Sequence, residues 1–595
     1  MHYTSPENIH KLIDPLFLEE LRDTLAGILS EPQSAGRTQK LRDFQDRLAA
    51  LKFLDPACGS GNFLTESFIS LRRLENQAIA AMPPTEKRSL KVSITQFHGI
   101  ESHDFAVNVA KTALWISDHQ MWKETQSITD THDSPLPLKE YEGIEEGDAL
   151  RAGLLINGWK IPHDDMLYIM GNPPFLGRAQ QTKAQKEAVR EYFGQGKVDY
   201  VSCWFMIAAG CVQDKRTKAA FVATNSIVQG EQVASVFNPI RSRYGIKIEF
   251  AYQPFVWRNE LPDPKKMAHV HVVIIGFSTC PPELRRLYTA EGMRLVENIN
   301  FYLEDDPDDD IAEEAREALS EDVQPMVFGN MPIDGGNLII KQEDYTDFIK
   351  REPGAEKFIR RYIGAYEFIN NIPRWCLWLA GATPHEIQSM PLVAERVKAV
   401  KSFRLASKRE VTRRLANTSW LFAWRSQPND NYIIVPRVSS EERAYIPMGF
   451  MTPDVIASDA VSIIPGATLY HFGVLTSRVH MAWVRRVCGR LKSDYRYSGE
   501  MVYNTFAWPS PSGSLRQRIE SSAQAILDAR AMYPDSSLAE LYSEDFMPVE
   551  LREAHRENDA AVCRAYGWSE GIGEREIVRK LFMMYHELVK KRRER

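Results

Sequence analysis

Apolar and polar positions follow two different rhythms along the chain, and each rhythm predicts a different structure. In residues 1–50, apolar side chains recur every three or four positions, which is the spacing of amphipathic helices. From about residue 51 to residue 277, short apolar runs alternate with helical patterns, which is typical of an α/β fold with a largely parallel sheet. We predict strands at residues 51–55, 96–101, 166–171, 219–224, 246–251 and 269–277.

After about residue 325 this alternation is lost, and basic and aromatic residues become interleaved. A chain of 595 residues is too long for one hydrophobic core, so several domains are expected. We predict an N-terminal helical segment at 1–50, an α/β domain at 51–303, an acidic linker at 304–324, an α+β domain at 325–510 and a helical C-terminal region at 511–595.

The composition is that of a globular protein outside the membrane. Apolar residues make up 44% and charged residues 26%, no apolar run is long enough to span a bilayer, and the N-terminus has no signal-peptide pattern. We therefore expect a cytoplasmic protein. The seven cysteines are widely scattered, which predicts reduced packing residues and neither a disulfide framework nor a metal site.

The net charge of −6 hides an uneven distribution of charge. Residues 304–322 carry eleven acids against one base, so this segment holds −10 and the rest of the chain +4. We interpret the acidic segment as a solvated linker or surface helix. Because the remainder is basic, the overall charge does not argue against a nucleic-acid partner.

The strand predicted at residues 166–171 runs directly into Asn172, Pro173, Pro174 and Phe175. Two prolines cannot donate to a sheet ladder, so the strand must end there and the chain must leave in a fixed direction. In such a turn the Asn172 amide oxygen and the Pro173 carbonyl can together accept both hydrogens of an exocyclic amino group. Phe175 offers a flat face on which a planar ring can stack. These residues predict a pocket for an aromatic amine, although they also suit a plain turn.

A second turn lies upstream, where Asp55 ends the first predicted strand and Gly59 and Gly61 precede an amphipathic helix. The glycines let the backbone approach a ligand closely at the helix N-terminus. Dinucleotide-binding folds use a similar device, but the third glycine of their pattern is missing here. Cys58 lies within the turn, and we interpret it as a small packing residue and not as a nucleophile.

Two more acids are predicted to lie near the carboxyl ends of strands, where ligands bind in parallel sheets. Glu101 ends the second strand, and its carboxylate can accept both ribose hydroxyls of a nucleoside. Asp148 is placed to bind an adenine amino group. One such acid is often only a helix cap, but both acids together with the two turns indicate a nucleoside-containing ligand.

In their order along the chain, these elements resemble those of the amino-methylating DNA methyltransferases that use S-adenosylmethionine, in the gamma arrangement. The matching elements are Tyr3-Thr4, Asp55-Pro56-Ala57-Cys58-Gly59-Ser60-Gly61-Asn62-Phe63, Glu101, Asp148 and Asn172-Pro173-Pro174-Phe175. More narrowly, later segments resemble the type IIL restriction-modification enzymes of the MmeI kind. Those segments are residues 328–338, 374–378, 436–440 and 493–498.

The resemblance implies a Rossmann-like class I methyltransferase sheet, followed by an α+β target-recognition domain and a helical C-terminal region. The 51–303 domain would then bind S-adenosylmethionine, and the 325–510 domain would recognise DNA. The implied catalytic residues are Asn172, Pro173, Pro174 and Phe175. The implied donor-binding residues are Tyr3, Thr4, Asp55, Ala57, Gly59, Gly61, Phe63, Glu101, Asp148 and Asn172.

The chain departs from that family at its beginning. Members usually carry an N-terminal nuclease domain, whereas no Asp and Glu-x-Lys set for catalytic magnesium precedes the Tyr3-Thr4 element here. Cleavage of DNA by this chain is therefore not expected. A stand-alone methyltransferase, a subunit with a separate nuclease and a truncated relic are all compatible with the sequence.

Two basic clusters predict contacts with DNA phosphates and base edges. The first, which we name the basic run, is residues 396–414, and the second lies between Arg485 and Arg496 near Tyr495 and Tyr497. The predicted DNA-binding residues are Arg404, Lys408, Arg409, Arg413, Arg437, Lys492, Arg496 and Tyr497.

The resemblance, in particular that of Asn172-Pro173-Pro174-Phe175 to the adenine enzymes, implies methylation of adenine N6 in double-stranded DNA. Because a stacked base cannot reach a turn at the end of a sheet, the target must be flipped out of the duplex. The turn chemistry does not separate adenine N6 from cytosine N4. Methylation of RNA or of a protein amide is an alternative, as is a DNA-recognition subunit without activity. The sequence does not give the DNA recognition site.

Overall fold

The structure is a computed structural model that describes residues 4–83, 89–128, 141–151, 166–194, 196–213, 216–257, 270–307, 310–321 and 323–594. The chain divides into two compact units, Met1–Ile311 and Ala312–Arg595. Among the described residues, no helix has the length and apolar character needed to cross a membrane.

The first unit begins with helices and continues with alternating strands and helices. Its helices are α1 (Pro6–Ile13), α2 (Glu19–Leu29), α3 (Ala35–Ala49), α4 (Asn62–Ala80), α5 (Asp104–Gln126), α6 (Lys183–Phe193), α7 (Ser202–Cys211) and α8 (Glu231–Tyr244). Its strands are β1 (Leu51–Asp55), β2 (Phe97–Glu101), β3 (Ile144–Glu146), β4 (Met166–Gly171), β5 (Thr217–Thr224), β6 (Lys247–Trp257), β7 (Val270–Ser278), β8 (Arg285–Thr289) and β9 (Gly292–Val296).

The strands form one sheet in the order β3-β2-β1-β4-β5-β7-β6-β8-β9. Strands β3, β2, β1, β4 and β5 are parallel, and β7 is antiparallel to both β5 and β6. The predicted Rossmann-like α/β sheet is confirmed, and so are all six predicted strands. Strand β6 is longer than predicted, and β3, β8 and β9 were not predicted, because their short segments carry little apolar periodicity.

Aromatic packing holds the centre of this sheet together. The Phe53 ring of β1 stacks on Phe97 of β2 at 4.8 Å between centroids and on Tyr168 of β4 at 5.6 Å. Phe17, which lies between α1 and α2, packs edge-on against Phe53 at 5.0 Å. The N-terminal helices therefore cover the strands whose carboxyl ends carry the predicted site.

The second unit mixes short strands with helices. Its helices are α9 (Gln342–Arg351), α10 (Ala365–Asn370), α11 (Pro384–Gln388), α12 (Pro391–Leu405), α13 (Glu410–Arg414), α14 (Leu469–Leu475), α15 (Arg478–Val487), α16 (Gly513–Ala531), α17 (Leu538–Leu541), α18 (Val549–Ala565) and α19 (Glu574–Glu594). Its strands are β10 (Val327–Phe328), β11 (Ile339–Ile340), β12 (Ile359–Ile363), β13 (Trp375–Leu377), β14 (Tyr432–Pro436), β15 (Val438–Ser439), β16 (Gly449–Met451), β17 (Ile456–Ala457), β18 (Val461–Pro465), β19 (Gly489–Leu491) and β20 (Asp494–Arg496).

These strands form three small sheets, in the orders β10-β18-β14-β16, β11-β13-β12-β17 and β15-β20-β19. The helices from α16 onward contain no intervening strand in the described chain, so the α+β and helical regions of the prediction are both present.

The part of the acidic segment that is described within the second unit is not a surface helix. Residues 312–321 carry no helix, and their backbone is bonded to the segment that follows β20. The Ala315 N–H donates to the Glu500 carbonyl at 3.0 Å, and the Leu319 N–H donates to the Asn504 carbonyl at 2.8 Å. These backbone contacts hold residues 312–321 in a non-helical conformation, so the surface-helix alternative does not apply to them.

Candidate functional site

The turn at residues 171–175, which we name the catalytic turn after its predicted role, begins where β4 ends, and its first residue is tightly confined. A Cβ on Gly171 would lie 2.5 Å from Oδ1 of Asp55, which ends the neighbouring strand β1. A side chain cannot be placed at that distance without moving the backbone or the carboxylate. Glycine therefore brings the ends of β1 and β4 into direct contact, as the two sequence motifs predicted.

The predicted acceptors in the turn are the side-chain oxygen of Asn172 and the backbone carbonyl of Pro173. Within the described part of the chain, no hydrogen bond reaches the Asn172 amide or the Pro173 carbonyl. Pro173 is buried, Pro174 is exposed, and Phe175 is half-buried against the hydrophobic core of the sheet. Among the described residues, these two acceptors thus have no protein partner, and Phe175, which follows them in the chain, is anchored on the core.

The exit of the turn is held by residues that the sequence analysis missed. The Leu176 N–H donates to Oδ1 of Asp199 at 3.0 Å, and the Leu176 carbonyl accepts from Nε2 of Gln181 at 2.8 Å and from the Tyr200 N–H at 3.0 Å. Trp204 reaches back to the glycine turn, where its Nε1–H donates to the Pro56 carbonyl at 3.2 Å. These side chains form no compact motif, and only the fold brings them to the turn.

The glycine turn and Glu101 meet directly. The Gly59 N–H donates to Oε2 of Glu101 at 3.0 Å, and Oε1 accepts from the Ser102 hydroxyl and the His103 N–H, both at 3.1 Å. Gly61 has φ +79°, and a Cβ on it would lie 2.9 Å from Cβ of Ala110 in α5. Glycine is therefore needed at this position for both its backbone conformation and its close packing.

Asp55 is a buried acid at the centre of the site. Its Oδ1 accepts from the Ala57 N–H at 3.0 Å. Burial raises the pKa of Asp55 to about 7; the Ala57 N–H opposes this rise and the Glu101 charge adds to it. Burial likewise raises the pKa of the Cys58 thiol, so the thiol stays protonated, which supports the interpretation of Cys58 as a packing residue.

The remaining donor-binding candidates occupy several environments. Asp148 follows β3, lies partly exposed, and accepts from the Leu150 N–H at 3.0 Å through Oδ1. The strand end that carries it is bonded to β2, because the Gly147 N–H donates to the Glu101 carbonyl at 2.9 Å. Phe63 is buried in the hydrophobic core, and Thr4 is buried just before α1. Tyr3 lies outside the described residues.

Two predicted DNA-binding residues lie in the interior of the second unit, where their polar groups are bonded to the protein itself. Arg404 is 0% exposed, and its five N–H groups donate at 2.8–3.0 Å to five backbone carbonyls. Tyr497 is 2% exposed, and its hydroxyl is bonded to Nε2 of His480 at 2.9 Å. Charge and aromaticity in a sequence do not reveal which side of a helix or strand faces the core.

The other DNA-binding candidates face solvent to different degrees. Lys408, Arg409, Arg413, Lys492 and Arg496 are exposed. Arg437 is half-buried, and its guanidinium lies 4.7 Å from the centre of the Phe328 ring. Arg413 donates to the carbonyls of Ser407 and Lys408 at 2.9 and 3.0 Å, which fixes part of the basic run.

The sheet order, the glycine turn with its acids and the polar turn at the end of β4 define a Rossmann-like methyltransferase. Three models of MmeI domains match the chain: the DNA-methyltransferase domain over residues 32–289, the target recognition domain over 306–510 and the C-terminal domain over 512–592. The chain therefore belongs to the MmeI family of restriction-modification DNA methyltransferases.

Two relatives match nearly the whole chain, and a third matches a shorter part of it. DNA methyltransferase A of Bacillus subtilis (strain 168) is 39% identical over 604 residues, which cover 99% of this chain and 67% of the relative. The solved structure of the type IIL restriction-modification enzyme MmeI in complex with DNA matches with a TM-score of 0.91 and 39% identity, covering 99% of this chain and 79% of that one. A putative type II restriction enzyme and methyltransferase of Methanocaldococcus jannaschii is 26% identical over 137 residues, covering 19% of this chain and 12% of that protein.

Proposed function

We propose that the protein is a site-specific DNA methyltransferase that transfers a methyl group from S-adenosylmethionine to adenine N6 in double-stranded DNA. It would act by base flipping and serve a restriction-modification or phage-defence system. The observation that carries this proposal is a pair of acceptors, the Asn172 amide and the Pro173 carbonyl, that have no partner among the described residues and lie at a strand end packed closely against Asp55.

The residues around the glycine turn fit the methyl donor. A Cβ on Gly59 would meet no atom within 4 Å, so space is open beside the backbone there. The N-terminus of α4 has no side-chain cap, which leaves N–H groups for an anionic group. Glu101 and Asp148 would hold the ribose hydroxyls and the adenine amino group, while Ala57, Gly61, Phe63, Thr4 and Tyr3 would complete the donor site. The donor supplies an electrophilic methyl group on a sulfonium.

The catalytic turn would orient the target amine. Asn172 and Pro173 would accept the two hydrogens of the amine and would leave its nitrogen lone pair available to the methyl group of the donor, so no cysteine nucleophile would be required. Phe175 would stack on the flipped base, and Pro174 would keep the turn rigid. Adenine is the proposed target because the Asn-Pro-Pro-Phe sequence resembles that of adenine enzymes, and cytosine N4 is the alternative.

DNA is the proposed partner because the MmeI structure that this chain resembles is a complex with DNA. The exposed Lys408, Arg409, Arg413, Lys492 and Arg496 would contribute phosphate or base contacts. A separate nuclease subunit remains a further proposal that a search for co-purifying proteins would test.

The proposal is tested by expressing the protein in a host without adenine methylation and mapping modified bases across the host genome. We expect one short sequence to carry N6-methyladenine. Asn172→Ala should abolish the modification while donor binding, measured by calorimetry, is retained. Asn429→Ala changes an exposed asparagine in the second unit and serves as the control. An Asn172→Ala protein that methylates at the normal rate would contradict the assignment, and N4-methylcytosine in the map would replace adenine as target.

A further inference from the structure

Three large apolar side chains of the second unit lie exposed on two paired backbone segments. Phe328, Met331 and Trp424 are 53%, 39% and 63% exposed, and we name them together the aromatic platform. The Met331 N–H donates to the Trp424 carbonyl at 3.1 Å, and the Trp424 N–H donates back to the Met331 carbonyl at 3.0 Å. The Ser426 hydroxyl donates to the Phe328 carbonyl, so both segments are fixed to each other.

A buried asparagine makes this surface rigid. Asn330 is fully buried, and its Oδ1 accepts from the Ser426 N–H at 2.8 Å. Its Nδ2 donates to Oε1 of Gln427 and to the Ala457 carbonyl, both at 2.9 Å. The exposed rings are therefore presented by a well-bonded scaffold, and leaving them in water is unfavourable unless a partner covers them.

The platform is bordered by positive charge. The Arg437 guanidinium lies over the Phe328 ring at 4.7 Å and donates to the Asp459 carbonyl at 2.9 Å. Burial lowers the pKa of Arg437, the positive charge of Arg496 lowers it further, and the Asp459 charge opposes both. Arg496 thus lies close to Arg437 on β20, which pairs with β15 directly after Arg437. Arg425, next to Trp424, is also exposed.

We propose that the aromatic platform contacts a DNA base that has lost its stacking partner, with Phe328 or Trp424 lying against the base and Arg437, Arg496 and Arg425 near the phosphates. Every base has a π-face, and stacking on an aromatic ring beside cationic groups is a recurrent way to hold an unstacked base. Base flipping leaves such a base behind in the duplex. This inference rests on the proposed function, because it requires DNA as the partner.

The charges favour DNA over a protein partner. Arg437 lies over the Phe328 ring, Arg496 lies on the strand that pairs with the residue after Arg437, and the exposed Arg425 directly follows Trp424 in the chain. A duplex offers phosphates and base faces together, which suits both features of the surface.

The test uses the full chain and a fluorescent duplex that the wild-type protein selects from a random-sequence library, so it does not depend on methylation activity. Phe328→Leu and Trp424→Leu keep an apolar side chain but remove the ring. We expect at least one of the two variants to weaken binding about 10-fold at fixed salt, with the salt dependence unchanged. Phe546→Leu removes a 77% exposed ring elsewhere in the unit and should bind as wild type.

A second measurement places 2-aminopurine at successive positions of the selected duplex. Wild type should change its fluorescence strongly at one position, and the change should be lost in Phe328→Leu or Trp424→Leu. Arg496→Ala should instead lower the slope of log affinity against log salt by about one unit. If both leucine variants bind as tightly as wild type and give the same fluorescence, the platform does not contact DNA and the proposal is overturned. If the wild type binds the donor but selects no duplex, the result contradicts both this inference and the proposal that DNA is the partner.

Discussion

Buried charge has opposite roles in two regions of the molecule. One is the strand-end site of the first unit, formed by Asp55, Glu101 and the catalytic turn, and the other is the basic run of the second unit. Asp55 is 1% exposed; burial raises its pKa, the Ala57 N–H that donates to its Oδ1 opposes the rise, and the nearby Glu101 charge adds to it. Arg404 is 0% exposed, and each of its N–H groups has a carbonyl partner. A buried charge with few partners is costly and is typical of a site of chemistry, whereas a fully bonded one belongs to the scaffold.

The same distinction separates side chains that lie close together in sequence. In the basic run, Arg404 is buried and bonded to backbone carbonyls, while Lys408 and Arg409 are exposed to water. What decides the role of each residue is the number of its bonded partners, and a count of basic residues in the sequence does not give that number.

Because all five N–H groups of Arg404 are bonded inside the protein, replacing this residue should mainly lower the stability of the second unit. Arg404→Lys leaves a compact ammonium with three donors where five carbonyls converge. We expect the free energy of unfolding of the second unit to fall by about 3–5 kcal/mol, the cost typical of breaking a buried charged network. Urea unfolding followed by tryptophan fluorescence measures this loss.

Arg409→Lys is the matched control for that change, because Arg409 is exposed in the same basic run. Its unfolding midpoint should equal that of the wild type. An Arg404→Lys protein as stable as the control would show that the five hydrogen bonds do not stabilise the second unit. The proposed difference between Arg404 and Asp55 would then no longer hold.

The strand-end site should lose activity without losing the fold when its closest contact is disturbed. Gly171→Ala places a Cβ 2.5 Å from Oδ1 of Asp55, so the catalytic turn must shift. A displacement of about 1 Å at reacting groups costs about 100-fold in rate, and we expect a loss of at least that size in methyl transfer to DNA. Labelled-methyl transfer at saturating donor measures it.

Gly177→Ala provides the control in the same loop, because a Cβ there would meet no atom within 4 Å. It should transfer methyl groups at the wild-type rate. If Gly171→Ala were equally active, the contact between the ends of β1 and β4 would have no role in catalysis.

The sequence revealed those parts of the molecule that depend on local patterns. Buried strands such as β1 and β4 are continuous apolar runs, and the glycine and Asn-Pro-Pro turns have fixed backbone requirements, so their position and proximity were predictable. The contacts of Asp199 and Trp204 were not predictable, because they join residues far apart in the chain through unremarkable side chains. The burial of Arg404 and Tyr497 depends on tertiary packing, which no local pattern encodes.

Because burial raises the pKa of Asp55, the free energy of unfolding should depend on pH. Its pKa is raised to about 7 in the folded protein, so between about pH 4 and pH 7 the folded state binds more protons than the unfolded state. The contribution of this group to stability therefore falls as the pH rises through that window, by at most about 1.4 kcal/mol per pH unit.

Asp55→Asn keeps an acceptor for the Ala57 N–H but cannot ionise. Without donor, the variant should gain stability relative to wild type as the pH rises from 5 to 7, and the difference should level off above pH 8. Thermal unfolding across that range measures both proteins. A constant difference at all pH values would mean that Asp55 has an ordinary pKa in the fold.

Asp199 lies beside the catalytic turn, as Asp55 does, but backbone N–H groups bond its carboxylate, as carbonyls bond Arg404. It therefore tests whether hydrogen bonding or location decides the role of a buried charged residue. It is 7% exposed, and its Oδ1 accepts from the Leu176 N–H at 3.0 Å and the Val201 N–H at 3.1 Å. Burial raises its pKa, and these backbone N–H groups oppose the rise. We therefore expect it to position the turn without taking part in donor binding.

Asp199→Ala removes both bonds at the exit of the turn, whereas Asp199→Asn keeps an oxygen that can accept them. We expect the alanine variant to lose about 10-fold in kcat, since one lost set of positioning bonds costs about 1–2 kcal/mol in the transition state, with donor affinity unchanged. The asparagine variant should retain most of the rate. Single-turnover transfer together with donor calorimetry distinguishes the two effects. If both variants were equally impaired, the charge of Asp199 would matter beyond its bonds, and bonding alone would no longer separate scaffold from site.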